Sequence, residues 1–233
     1  MIKQKETYIF KVSSSKIIGS GHIYRCLKIA NKIQKHKVLF LTNKFKNNFN
    51  HLIEKFKIHI LANNEKNFSL KTDLIDTINV IQKINGRKIL KIDNYINDLD
   101  WQIKISKFVD KIVIINDDIK NNYCDLYINY NYFISKINNK FFKKKKCKKL
   151  IGPKFFLINQ KIYKKRKNPK KIFMFFGGHD NKMLSIKIIK LLKNIKDIRI
   201  KLVTNDAKIK DIIKKLNFKK IELINQKMKF YKL

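Results

Sequence analysis

The chain has 233 residues, 44% hydrophobic and 12% aromatic, which excludes a disordered polymer in spite of its 31% charged residues. Its formal net charge is +38, yet only four of its 55 basic residues are arginine, the side chain whose fork suits nucleic-acid readout; lysine spread along the whole chain beside abundant Ile and Asn reads as a coding bias and not as a nucleic-acid face. No run approaches the roughly 18 apolar residues of a membrane span, and Cys26, Cys124 and Cys147 form no CxxC pair, so a soluble, reduced, cytoplasmic protein without zinc site or disulfide framework is expected.

Residues 8–12 are apolar and β-prone, and a polar loop, residues 13–21, follows them. Ile23, Leu27, Ala30 and Ile33 then recur at helical spacing. The first unit is therefore strand, glycine-containing loop, helix. Residues 37–42 (KVLFLT) predict a second strand, residues 45–56 a helix and residues 57–61 a third strand. A helix is predicted over 70–84, with Leu74, Ile75, Ile78 and Ile81 on one side. Residues 88–93 (KILKID) predict a strand ending in a carboxylate, and 98–108 a helix with Trp101 and Ile105 on one face. Strands follow at 111–115, running into Asn116-Asp117-Asp118, and at 125–128. Strands without polar alternation, separated by helices, argue for a parallel, doubly wound sheet.

The pattern loosens after Tyr132. Residues 140–149 are a charged run, and 150–158 (LIGPKFFLI) are apolar around a Gly-Pro turn. The lysine-dense stretches 143–146 and 164–171 read as a solvated loop and a linker. The pattern then restarts, with strands predicted at 171–176, 198–203 and 220–223 and helices at 182–192 and 208–216. Two Rossmann-like domains are expected, residues 1–160 and 161–233. With about three strands against the usual 5–6, the second is expected to be incomplete.

Average usage of about 7% would give roughly 16 glycines; the chain has six, and four of them fall in two short loops, Gly19 with Gly21 and Gly177 with Gly178. A chain so poor in glycine places it where the backbone must turn or approach a ligand closely. Gly19-Ser20-Gly21 leads straight into a helix starting near His22, where free backbone N–H groups favour anionic groups. His22 at the carboxyl end of the first strand faces the usual ligand crevice of such sheets, and its imidazole suits proton transfer at neutral pH. The alternative is a histidine that caps the helix. GSGHIY lacks the third glycine of a dinucleotide fingerprint.

The run Ile18-Gly19-Ser20-Gly21-His22-Ile23-Tyr24-Arg25-Cys26-Leu27 resembles the "IGxGHxxRCL" signature of the PseG-type UDP-sugar hydrolases of pseudaminic acid biosynthesis. Four further segments resemble that family's blocks in the same order. They are Asp93-Asn94-Tyr95; Asn116-Asp117-Asp118 with Cys124-Asp125-Leu126-Tyr127-Ile128-Asn129-Tyr130-Asn131; Gly152-Pro153-Lys154-Phe155-Phe156-Leu157-Ile158; and Gly177-Gly178-His179-Asp180. The resemblance implies a glycosyltransferase-B-like α/β fold with a cleft between two Rossmann-like domains. It implies hydrolysis of a UDP-linked 2,4-diacetamido-2,4,6-trideoxy-β-L-altropyranose, without metal or cofactor, in the making of a surface glycan. Water would attack the anomeric carbon, UDP would leave, and His22 would be the general base. Gly19, Ser20, Gly21 and Tyr95 would touch the substrate, and Gly177 and Gly178 its nucleotide. Asn129 and Asn131 would line the sugar pocket or form an Asx turn. Asp93, Asp117 and Asp118 are expected to cap turns or helices.

The chain departs from the family twice. Where the family carries "R-x-D-x-S" ahead of its glycine loop, this chain has Lys11 and Ser13 at the first and third places, which removes a carboxylate that would orient the base. The family also continues beyond the last residue here, so a partner supplying the further C-terminal segment is expected alongside the UDP-sugar. Alternatives are a sugar-nucleotide-binding remnant without turnover and another glycosyltransferase-B-like activity. Nucleic acid and membrane are not expected partners.

Overall fold

A computed structural model describes residues 6–15, 17–131, 139–157, 170–176, 180, 183–216 and 220–224. The chain divides into two compact units, Met1–Asn159 and Gln160–Leu233.

The first unit is built on seven strands: β1 (Glu6–Val12), β2 (Lys37–Asn43), β3 (Lys57–Leu61), β4 (Arg87–Asp93), β5 (Lys111–Ile115), β6 (Leu126–Asn129) and β7 (Lys148–Ile151). They form one sheet in the order β3-β2-β1-β4-β5-β6-β7, and every pairing is parallel. Parallel strands must be covered on both faces, which is why β1 and β2 carry apolar side chains in succession. Helix α1 (Gly21–Lys32) covers one face: Phe10, Val12 and Phe40 meet Ile23, Cys26 and Ala30 there. Helices α2 (Leu70–Gln82) and α3 (Leu99–Ile105) bury the alternate residues Ile9, Leu39, Leu41, Leu90 and Ile92 on the other face, with Trp101 and Ile105. This is the doubly wound architecture expected from the alternation of elements, and the order in which strands are added reverses between β1 and β4, where ligands of such sheets bind.

The predicted helix over 45–56 is instead a loop with one short 3-10 turn, Asn50–Ile53. Its asparagines compete with the helix for backbone groups. Asn47 sits at φ 49°, the Asn48 amide donates to the Phe45 carbonyl at 2.9 Å, and its oxygen accepts from Asn50 N–H at 3.1 Å. Phe45 and Ile53 are nonetheless buried. In α2 three of the four predicted apolar residues, Leu74, Ile78 and Ile81, pack on the core. Asp73, Thr77 and Ile81 face inward, and Ile75 is exposed. A second correction falls in the charged run, where Lys148 and Lys149 begin β7 and pair with Leu126 and Tyr127.

The second unit has strands β8 (Lys171–Phe175), β9 (Arg199–Val203) and β10 (Ile221–Ile224) with helices α4 (Leu184–Leu192) and α5 (Ala207–Lys215). Among the described residues its parallel sheet has three strands, ordered β10-β9-β8. Met174, Ile200 and Leu202 pack with Ile186, Ile189, Ile209 and Ile213 of the helices. Gly177 and Gly178 lie outside the described residues, as do residues 164–169 of the expected linker, whose last residue, Lys171, opens β8.

Candidate active site

The polar residues of the first unit collect at the carboxyl ends of β1, β4, β5 and β6. Gly19 makes the approach. It takes φ +84°, a conformation that costs an L side chain about 1–2 kcal/mol, and its N–H donates to the Ser15 carbonyl at 2.7 Å. The Ser15 hydroxyl accepts from the N–H groups of Ile17 and Ile18, both at 3.2 Å. This tight loop delivers the chain to α1 with Ser20 at its N-cap. A side chain at Gly19 or Gly21 would meet nothing within 4 Å, so the loop's outer side is open.

His22 and Arg25 lie one helical turn apart and both turn to Asp93, the last residue of β4. His22 Nδ1 is 2.8 Å from Asp93 Oδ1. Arg25 Nε reaches both Asp93 oxygens, at 2.9 and 2.8 Å, and Nη2 reaches Oδ1 at 2.7 Å. Nη2 is also 2.8 Å from His22 Nδ1. Two donors cannot share a proton position, and the ionised carboxylate is the stronger acceptor. Nδ1–H therefore donates to Asp93, which fixes the tautomer and leaves Nε2 with its lone pair. Among the described residues Nε2 has no hydrogen-bond partner.

Arg25 Nη1 continues to Asp117 after β5, at 3.1 and 3.0 Å, and to the hydroxyl of Tyr130 after β6. Tyr95, in the loop after β4, lays its ring edge-on to His22 with centroids 4.7 Å apart and donates its hydroxyl to Asp117 at 3.1 Å. Lys91, two residues before Asp93 on the same face of β4, has its ammonium 3.9 Å from Asp93 and 3.5 Å from the Cys26 sulfur. Two cations thus face two carboxylates around one histidine.

Burial alone would raise the Asp93 carboxyl pKa; the hydrogen bonds from His22 and Arg25 and the charge of Lys91 outweigh it and hold it below the ordinary value. Burial likewise opposes the Arg25 charge, and Asp93 and Asp117 more than restore it. The Tyr95 hydroxyl is pushed up to about 12, by burial first and by Asp117 next. Tyr95 is a neutral donor over the neutral pH range.

The other face carries a separate polar knot. Lys11 is buried, and its ammonium is 2.7 Å from Asp73 and 3.1 Å from the Asn43 amide oxygen. Burial pushes its pKa down, against the pull of Asp73. The Ser13 hydroxyl donates to Asn43 at 2.7 Å and the Asn97 amide to Asp73 at 3.2 Å. The cation at position 11 therefore has a carboxylate of its own, supplied by α2.

The residues singled out in the sequence fall as follows. Gly19, Ser20, Gly21, His22 and Tyr95 come together around the β1–β4 crevice. Asn129 is buried and closes an Asx turn, accepting from Asn131 N–H at 3.1 Å. The Asn131 amide donates to the Asp117 carbonyl at 3.0 Å, so both asparagines hold the loop that carries Tyr130. Asp93 and Asp117, expected as turn caps, are instead the carboxylates of the site. Position 13 holds no carboxylate, as expected, but Asp93 orients the imidazole from the neighbouring strand. Arg25 and Tyr130 went unremarked as site residues. The available signal was Arg25 itself, one of four arginines in a chain that otherwise uses lysine. Among the described residues no group of three or more His, Cys, Asp or Glu is placed to hold a metal ion, and no helix is long and apolar enough to cross a membrane.

The fold is an α/β one of the glycosyltransferase-B-like kind, with two Rossmann-like units. A glycosyltransferase from Rickettsia africae shares that fold, with a TM-score of 0.57 at 14% identity over 95% of this chain and 68% of that one. In sequence, the chain is similar to a UDP-2,4-diacetamido-2,4,6-trideoxy-β-L-altropyranose hydrolase of Campylobacter jejuni, 29% identical over 213 residues, which are 88% of this chain and 73% of that protein. It is also similar to an uncharacterized protein of Methanocaldococcus jannaschii, 24% identical over 204 residues. The chain spans 40% of the length of that archaeal relative. No family model matches the chain.

Proposed function

We propose that the chain hydrolyses a UDP-linked sugar, and that the sugar is the diacetamido trideoxy altropyranose named for the Campylobacter relative. The observation that carries this reading is the bond from His22 Nδ1 to Asp93 at 2.8 Å. It leaves Nε2 free to take a proton from water. The water oxygen attacks the anomeric carbon, the bond from that carbon to the β-phosphate oxygen breaks, and UDP leaves with the electron pair. Asp93 stabilises the imidazolium so formed, as a buried carboxylate beside a catalytic histidine does. UDP is a good leaving group, so no acid is required on its side.

In this reading Gly19, Ser20 and Gly21 approach the substrate through their backbone and Tyr95 contacts it. Asn129 and Asn131 shape the sugar pocket from behind Tyr130, and Gly177 with Gly178 attends the nucleotide. No metal or cofactor takes part. The loop's open outer side and the similarity over 88% of the chain support the assignment.

A proton NMR time course of the purified chain with the UDP-sugar tests it. Free UDP and sugar are expected with the native chain and not with His22→Ala. Equal turnover in that variant would sink the assignment. Binding without turnover in the native chain would make it a sugar-nucleotide-binding protein, and turnover restored by an added C-terminal segment would identify the expected partner.

A further inference from the structure

Cys124 and Cys147 are 23 residues apart in sequence, yet their sulfurs lie 3.6 Å from each other. Both are free thiols. Cys124 stands just before β6 and Cys147 just before β7, two parallel neighbours whose register pairs Leu126 with Lys148. The pair therefore sits at the amino ends of the strands, the edge of the sheet opposite His22.

The two sulfurs have different surroundings. Cys124 is buried, whereas Cys147 is half-buried and lines an open cleft with Asn139, Phe142, Lys144, Lys145 and Lys149. Two of these lysines, Lys149 and Lys144, favour the thiolate of this accessible sulfur. The contact with Cys124 and the charges of Lys149 and Lys144 hold the Cys147 thiol below its ordinary range, against burial and Asp125; the same contact, with burial, holds Cys124 above it. An accessible, cation-flanked thiolate with a second thiol in contact is the arrangement of a peroxide-reactive cysteine and its resolving partner.

We propose that Cys147 and Cys124 form a peroxide-sensitive dithiol that closes to a disulfide and clips the edge strand β7 to the strand beside it. The Cys147 thiolate attacks one peroxide oxygen and the O–O bond breaks. The sulfur is oxidised to a sulfenic acid and the peroxide is reduced to water. The Cys124 thiol then gives up its proton. The Cys124 sulfur attacks the sulfenic sulfur, the S–S bond forms, and hydroxide leaves with that proton as a second water. The sulfurs must close from 3.6 Å to about 2.05 Å, a movement that the turn before an edge strand can supply. The clip lies away from the proposed hydrolytic site and does not depend on that assignment.

The test uses the full chain, reduced, freed of reductant and treated with hydrogen peroxide. Titratable thiols are expected to fall from three to one. The intact mass should drop by about 2 Da, and peptide mapping should find Cys124 joined to Cys147, with full reversal by dithiothreitol. The melting temperature of the oxidised chain should rise by several degrees. In Cys124→Ser the reaction should stop at a sulfenic acid on Cys147, trapped by dimedone. Three thiols surviving the treatment, a link between two chains, or first reaction at Cys26 would each overturn the proposal.

Discussion

Asp93 has no solvent exposure, and His22, Arg25 and Lys91 all turn to it. Its replacement separates two of its roles. Asp93→Asn keeps the shape and loses the charge, so the imidazole no longer has an anion to hold its Nδ1 proton. If the chain hydrolyses the UDP-sugar as proposed, kcat should fall by about 10²-fold or more with KM little changed, since Asp93 would then act in the transition state. An unchanged kcat would remove Asp93 from the mechanism. At this scale the sequence made part of the site legible. Scarce glycines mark the loop, and the loop marks His22. The carboxylate that orients His22 is 71 residues away, and nothing local distinguishes a strand-end aspartate that caps a turn from one that faces a histidine. Only pairing β1 with β4, Val12 against Asp93, brings the two together. The same holds for Lys11 and Asp73, 62 residues apart, which compensate each other on the sheet's other face.

Elements were legible where one physical cause dominates. Runs such as KVLFLT and KIVII are buried on both faces, and they became β2 and β5 at the places their apolar residues mark. Elements were illegible where polar side chains compete. The Asn48 side chain takes up two backbone groups and Asn47 sits at positive φ, which leaves one 3-10 turn where apolar spacing alone predicts a helix. In α2 the apolar stripe was legible in Leu74, Ile78 and Ile81, but the burial of Asp73 against Lys11 was not, and Ile75 is exposed. Caps work in the opposite direction. The Asp98 carboxylate accepts from Trp101 N–H at 2.9 Å and starts α3, which buries Trp101 and Ile105. Asp98→Ala should lower the stability of the first unit by about 1 kcal/mol, read as a lower urea midpoint with unchanged slope. A loss near zero would show that packing alone fixes the start of α3.

Across the molecule, +38 charges repel one another, and few acids must do much of the pairing. Asp93 is held by Arg25 and Lys91, and Asp125 by Lys111 and Lys144 at 2.9 and 2.8 Å. Burial opposes the charge of both, and these partners nevertheless hold both carboxyls below the ordinary value. A carboxylate whose folded pKa lies below its unfolded one contributes stability that is complete above about 4 and is lost as pH falls through the folded value. The melting temperature should therefore fall steeply below about pH 4, and added salt should soften the fall by screening the rising positive charge. A flat profile down to acid pH would show that neither pair contributes. The order of the seven strands was beyond the sequence, since strands of similar composition do not name their neighbours.

That order places β1 between partners made at different times. β1 pairs with β2 on one edge and with β4 on the other, Glu6 against Arg87. Those two residues are 81 apart. At synthesis rates of about 5–20 residues per second, β1 waits roughly 4–16 s for its second neighbour. During that interval one edge of Ile9, Phe10 and Val12 stays open to other chains. A growing polypeptide that ends before β4 is thus the form of this protein in greatest need of a chaperone, and a ribosomal pause in that interval would lengthen its exposure.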